Sequence, residues 1–184
     1  MKRKAPRRAP KTKIKTPIMS PDRERFMAHW GLIEWTQGVI DQSERTKAAH
    51  DHLAEKGIRG DSPGDFPLLA LHCQHHFFVI SAYKLIEYRD WCRSLGLFNA
   101  VSFSEIDSFS KDDIRELCNM REHVVKYFQG SGHEMDRWKA LDASGGSGTI
   151  IGGRLDWVEF SEAAKRLLPV LLSEPIPVVH FSFP

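Results

Sequence analysis

Arg121, His123 and Asn119 sit in the run Asn119-Met120-Arg121-Glu122-His123, three side chains that together could handle a phosphate ester. A guanidinium holds phosphate charge, and an imidazole gives or takes a proton near neutral pH. Asn119 and His123 are four residues apart and share a helix face. Arg121 and His123 are two apart, about 200° round a helix, so a regular helix does not aim both at one phosphate. A second pairing, Arg45 with His50, spans four intervening residues, and His52 lies just beyond it. A third group is His72-Cys73-Gln74-His75-His76. His72 and His76 at i, i+4 could ligate one metal ion, with a third ligand from His29, His50 or His52. Bundle metalloenzymes use Glu-x-x-His pairs, and this sequence has none, so no metal or other cofactor is expected.

The segment around Arg121 has to be a helix. Ile114, Leu117, Cys118, Arg121, Val124, Val125 and Phe128 form one continuous stripe at helical spacing. Six of the seven are apolar. An arginine in such a stripe must find a partner or reach water, because an unpaired buried charge is costly. A carboxylate on the neighbouring helix, Glu87 or Asp90, would make Arg121 structural. Ser110 is placed to cap this helix, with Asp112, Asp113 and Glu116 near its positive end.

Other elements follow from pattern and punctuation. A first helix is expected from about Asp22 to about Lys56, with Phe26, Trp30, Ile33 and Ile40 inward and a charged second half from Asp41 that projects past the core. Gly57, Gly60, Pro63 and Gly64 mark a loop. A second helix runs from near Asp65 to about Leu95, with Leu68, Leu71, His75, Phe78, Ala82, Leu85 and Ile86 in register. It is apolar almost all round between Phe77 and Ile86, so it should be the most buried, and Gly96 ends it. A short turn of helix can open at Ser104-Glu105-Ile106. After a loop over residues 131–148, Thr149 to Trp157 suggests a hairpin about Gly152-Gly153. A last helix then starts at Asp156 or Ser161, with Val158, Ala163, Leu167, Val170 and Leu171 inward and Pro169 as a kink or end. The expected fold is all-α, an antiparallel bundle of four or five helices with a small β-hairpin before the last helix. Its domain spans residues 22–173, between a disordered arm at 1–21 and an extended C-terminal arm at 174–184.

Composition bounds the function. The chain has 184 residues, 41% hydrophobic and 27% charged, with a net charge of +2. That is the profile of one soluble domain. No apolar run is long enough to span a membrane. Cys73, Cys92 and Cys118 make no Cys-x-x-Cys pair and read as reduced thiols of a cytoplasmic protein. Cys118 lies on the apolar stripe, so it belongs to the core. Charge is uneven. Lys2, Arg3, Lys4, Arg7, Arg8, Lys11, Lys13 and Lys15 carry eight of the 26 basic groups, leaving 18 basic and 24 acidic residues, net −6, in the rest. A basic arm on a mildly acidic body suits contact with RNA, another nucleic acid or an acidic protein partner.

The run Asn119 to Phe128, within a bundle and followed by an Ile-Gly-Gly hairpin and a final amphipathic helix, resembles bacterial helical-bundle proteins of the HEPN type (higher eukaryotes and prokaryotes nucleotide-binding). The resemblance spans about residues 22–172. It implies an all-α bundle, often a homodimer, and a role in toxin–antitoxin or phage-defence systems, either as an RNA-associated interaction protein or as a metal-independent ribonuclease. The family's active site joins an Arg, a polar residue and a His after four to six intervening residues. Arg121 and His123 have one residue between them, and Arg115 and His123 have seven. Arg45 with His50 or His52 has the family's spacing but lies in the first helix.

Overall fold

The computed structural model describes residues 20–55, 66–123 and 148–178, and these form a helical bundle. In chain order the elements are α1 (Pro21–Glu55), α2 (Phe66–Ser94), α3 (Ser104–Asp107) and α4 (Lys111–Glu122). Then come strands β1 (Ile150–Ile151) and β2 (Leu155–Asp156) and helix α5 (Trp157–Ser173). The two strands pair antiparallel, Ile150 with Asp156 and Ile151 with Leu155. Gly152 and Gly153 both take positive φ, 56° and 70°, in the turn between them. Residues lacking a Cβ adopt that backbone without steric cost, which is why the Gly-Gly pair makes the hairpin. The expected loop at Gly57 to Gly64, the continuation of α4 through Val124 to Phe128, most of the loop over 131–148 and the basic arm lie outside the described residues.

Contacts fix the directions. Trp91 on α2 donates to Glu24 on α1 at one end, and Gln42 donates to Gln74 further along, so α1 and α2 are antiparallel. Lys111 reaches Asp90, and Arg121 reaches His72, so α4 runs antiparallel to α2. The core is assembled from Leu32 and Val39 of α1, Phe78, Leu85 and Ile86 of α2, Ile114 and Leu117 of α4, and Phe160 and Leu171 of α5, all essentially solvent-free. Phe160 meets Phe78 and Phe109 edge-on, joining α5 to α2 and to the turn before α4. Such edge contacts add about 0.5–1.5 kcal/mol each beyond burial. Gly31 lets α1 approach α2 closely: a Cβ there would lie 2.0 Å from Cε1 of Tyr88.

Caps explain the helix starts. Ser110 accepts from the Asp113 amide at the head of α4, and Asp156 accepts from the amides of Val158 and Glu159 at the head of α5. The hairpin is tied to α4 by Arg154, which pairs with Asp113 and, at 3.4 Å, with Glu116.

Several expectations need correction. The second half of α1 packs against the body: Gln42, Ser43 and Thr46 are buried, with Gln42 on Gln74 and with Ser43 and Thr46 returned to their own helix carbonyls. Internal hydrogen bonding let polar residues occupy a face that apolar periodicity did not mark. Trp30, Val158 and Val170, read as inward, are more than a third exposed. Pro169 neither ends α5 nor marks its boundary, since the helix continues to Ser173. Asp90 is held by Arg89 and Lys111, and Glu87 by Lys84, so the partners foreseen for Arg121 serve other cations.

Candidate functional site

Antiparallel packing gathers the last turns of α1, the first half of α2, the end of α4 and the start of α5 at one end of the bundle. His50, His75, Arg121 and Trp157 meet there. The Nε2 atoms of His50 and His75 are 3.1 Å apart, so one ring donates to the other. On its other side, His50 stacks flat on Trp157 with centroids 5.6 Å apart and planes 9° apart. Trp157 is itself anchored, its Nε1 donating to the Gly148 carbonyl at 2.9 Å. Arg121, at the end of α4, donates from Nη1 to the backbone carbonyl of His72 at 3.2 Å. The guanidinium thereby lies across the histidine-bearing face of α2.

The local field keeps these imidazoles neutral at pH 7. Burial, then the charges of Arg121, His50 and His72, push His75 down to about 3. Burial also lowers His50, partly offset by Asp51. His76 is lowered by burial and by Arg121, with Glu122 opposing. Desolvation and a nearby cation both disfavour the imidazolium. A neutral imidazole can accept a proton, and a guanidinium beside it can hold an anion.

Of the residues singled out in the sequence, Arg121 and His50 are therefore brought to one place, although each had been paired with a different partner. His123 is the exposed C-cap of α4, its amide bonded to the Asn119 carbonyl. Asn119 is exposed beside it. Neither is placed in the His50–His75 cluster. Arg45 is exposed, and five residues from His50 is about 140° round the helix, so the pair does not share a face. Among the described residues, no three His, Cys, Asp or Glu groups, His72 and His76 included, are arranged to hold an ion. His29, a suggested third ligand, lies near the opposite end of α1. The basic residues from Lys2 to Lys15 lie outside the described residues.

His75 and Trp157 were missed as site residues. The signal for His75 was present, a histidine on the core stripe of α2 within a histidine-rich run. Its partner on α1 was set only by packing, which spacing within one helix does not reveal.

A second charged cluster sits toward the other end of α2. Arg89, buried, donates from Nε and Nη2 to Asp90 and from Nη1 to Asp107, and Arg93 donates to the same Asp107 at 2.7 Å. Burial raises the Asp90 carboxyl, but hydrogen bonds from Lys111 and Arg89 outweigh it and hold the group below the usual carboxylate range. This network ties α2, α3 and α4 together. Cys92 and Cys118 are buried free thiols pushed up to about 12 and about 11, chiefly by desolvation, which makes both inert as nucleophiles at neutral pH. Cys73 is a free thiol on the surface.

Comparisons with family models, curated proteins and solved structures find no match.

Proposed function

We propose that this helical bundle is an RNA-directed protein whose His50–His75–Arg121 cluster binds a phosphodiester and cleaves it without a metal ion. The observation that carries this reading is the 3.1 Å contact between His50 and His75 with the Arg121 charge acting on His75. The chemistry such a group supports is transesterification at a ribose. The histidine pair takes the 2′-OH proton, and the 2′-oxygen attacks phosphorus while Arg121 offsets the charge that develops on the phosphoryl oxygens. The P–O5′ bond breaks, and the proton returns from the pair to the 5′-oxygen. The products are a 2′,3′-cyclic phosphate and a 5′-hydroxyl. An anion on Arg121 also cancels part of the field that keeps His75 neutral, so substrate binding and proton uptake by the pair are coupled.

The HEPN-like resemblance accords with a bundle bearing an Arg–His site, but the residues differ from that family's spacing. It also suggests a bacterial defence or toxin–antitoxin setting, with a basic N-terminal arm that adds backbone contacts to RNA. The test is incubation of the full chain with mixed single-stranded RNA and tRNA in EDTA, beside His50→Asn, His75→Asn and Arg121→Gln. Cleavage by the wild type to cyclic-phosphate ends, lost in these variants while their helical content persists, is the expected result. Cleavage that requires a divalent ion, or that survives all three substitutions, would refute the assignment.

A non-catalytic interaction module is the second reading, and a surface feature favours it. Val170, Leu172, Ile176 and Val178 form an exposed apolar series at the end of α5 and beyond, between 44% and 73% accessible. Exposed apolar groups in series suit burial against a protein partner or a second copy in a homodimer. RNA retention without cleavage, together with a dimer broken by Leu172→Glu, would establish this reading in place of the first.

A further inference from the structure

At the opposite end of the bundle, a cavity of about 510 Å³ opens between the start of α1, the turn after α2 and the chain following α5. Its size falls within the roughly 300–1,000 Å³ typical of small-molecule sites. His29 lines it. That side chain is 2% exposed, and among the described residues its Nε2 has no hydrogen-bond partner. A buried polar atom without a partner is a rare and costly feature, and it calls for a group in the cavity to complete it. The ring is held rather than loose, stacked on Phe98 with centroids 4.6 Å apart and planes 21° apart. Phe98 itself has a φ of 58°, a left-handed conformation uncommon for a bulky residue, so the turn is shaped to set this ring against His29.

The charges around the cavity are mixed. Asp22 and Glu174 bring two carboxylates, and Arg25, which donates to the Leu95 carbonyl, brings a guanidinium with further donors. Burial lowers the pKa of His29 while Glu174 opposes that shift, so the imidazole is a neutral hydrogen-bonding group at pH 7. Leu97, Phe98, Ile176 and Val178 supply the apolar wall. A simple anion would meet two carboxylates, and a simple cation would meet Arg25. A small zwitterion with an apolar side chain satisfies both sets at once.

We infer that this cavity binds a free α-amino acid with an apolar side chain. His29 Nε2 and Arg25 hold its carboxylate, Glu174 and Asp22 face its ammonium group, and its side chain lies against Phe98 and Ile176. This site is independent of the histidine pair at the other end of the molecule.

The test is calorimetric titration of the full chain with leucine, phenylalanine and glycine. Leucinamide, which lacks the carboxylate, and N-acetylleucine, which lacks the ammonium, are the comparison ligands. Leucine and phenylalanine should bind, glycine should bind less tightly, and each blocked form should lose about tenfold or more in affinity, the effect of one charge-assisted hydrogen bond. His29→Leu should abolish binding. Glu174→Gln, at a half-buried position less prone to unfold the chain, should weaken leucine by a similar factor, and Arg121→Gln should leave it unchanged. No binding by any amino acid would overturn the inference and leave the cavity to water. Equal binding of leucine and its blocked forms, or of wild type and Glu174→Gln, would overturn it as well.

Discussion

Arg89 and Arg121 each lie on a helix face that turns toward the body of the bundle, yet their surroundings give them different work. Arg89 is nearly enclosed, 8% exposed at its side chain, and it divides its donors between Asp90 and Asp107. Its charge is neutralised where it stands, and it joins three helices. Arg121 is half-buried, spans to a backbone carbonyl on α2 and projects its charge onto His75 and His76. A guanidinium saturated by carboxylates holds a fold together. Arg121 lowers the pKa of neighbouring histidines, the feature on which its proposed role rests. Among the described residues, Arg89 meets Asp90 of its own helix and Asp107 of α3, and Arg121 lies beside the histidines of α2.

The largest expected effect breaks the structural side of this comparison. Arg89→Met should cost about 3 kcal/mol, because it strips a buried cation from two carboxylates; Lys111 and Arg93 remain to soften the loss. Urea unfolding measures it, and Arg121→Gln should cost clearly less. If Arg121→Gln proved the more destabilising, the assignment of roles would be reversed.

A pair of glycines on α1 sharpens the picture of how α1 and α2 approach. Gly31→Ala forces a Cβ into the Tyr88 ring and should destabilise by about 1–3 kcal/mol. At Gly38 an added Cβ meets only Trp35, at 3.8 Å, so Gly38→Ala should stabilise by about 0.5–1 kcal/mol through helix propensity. Thermal unfolding of the two variants reads opposite signs.

The acid response probes the His75 end. His75 has a folded-state pKa of about 3 against an ordinary 6.5. The unfolded chain therefore binds more protons there between these values, and stability is full above about pH 6.5 and falls as pH drops toward 3. The slope from this group is at most about 1.4 kcal/mol per pH unit. His75→Asn should flatten the decline between pH 6 and 4. Guanidinium unfolding across that range would show it, and an unchanged slope would mean that His75 is not held neutral. The smallest effect is local: Asp156→Ala removes the cap of α5 and should cost about 1 kcal/mol with little change at either arginine.

Much of the fold was legible because its signals are local. Ser110 announced the start of α4, Asp156 was one of two starts offered for α5 and is the one used, Gly152-Gly153 announced the hairpin, and the apolar run from Phe77 to Ile86 marked α2 as central, although Phe77 itself is exposed. The buried polar stretch Gln42, Ser43 and Thr46 was not legible, since hydrogen bonding in three dimensions made it a packing face. Arg89 was missed for the same reason, because its partner Asp107 lies on another element. The site was half legible. Arg121 stood out as a charge in an apolar stripe and His50 as a histidine near an arginine, but that His50 faces His75 depends on how far α1 and α2 overlap. The exposure of His123 was hidden too, since it turns on where α4 ends.

The central claim is that the His50–His75–Arg121 end receives a phosphodiester. Its most direct test is a pH titration of the histidine ring signals by NMR, free and with a 2′-deoxy oligonucleotide that binds but cannot be cleaved. The account predicts that the titrations of His50 and His75 move upward on binding, that His29 at the other end of the bundle stays put, and that Arg121→Gln abolishes the movement. Binding that leaves His50 and His75 unmoved, or that shifts only histidines elsewhere, would contradict it.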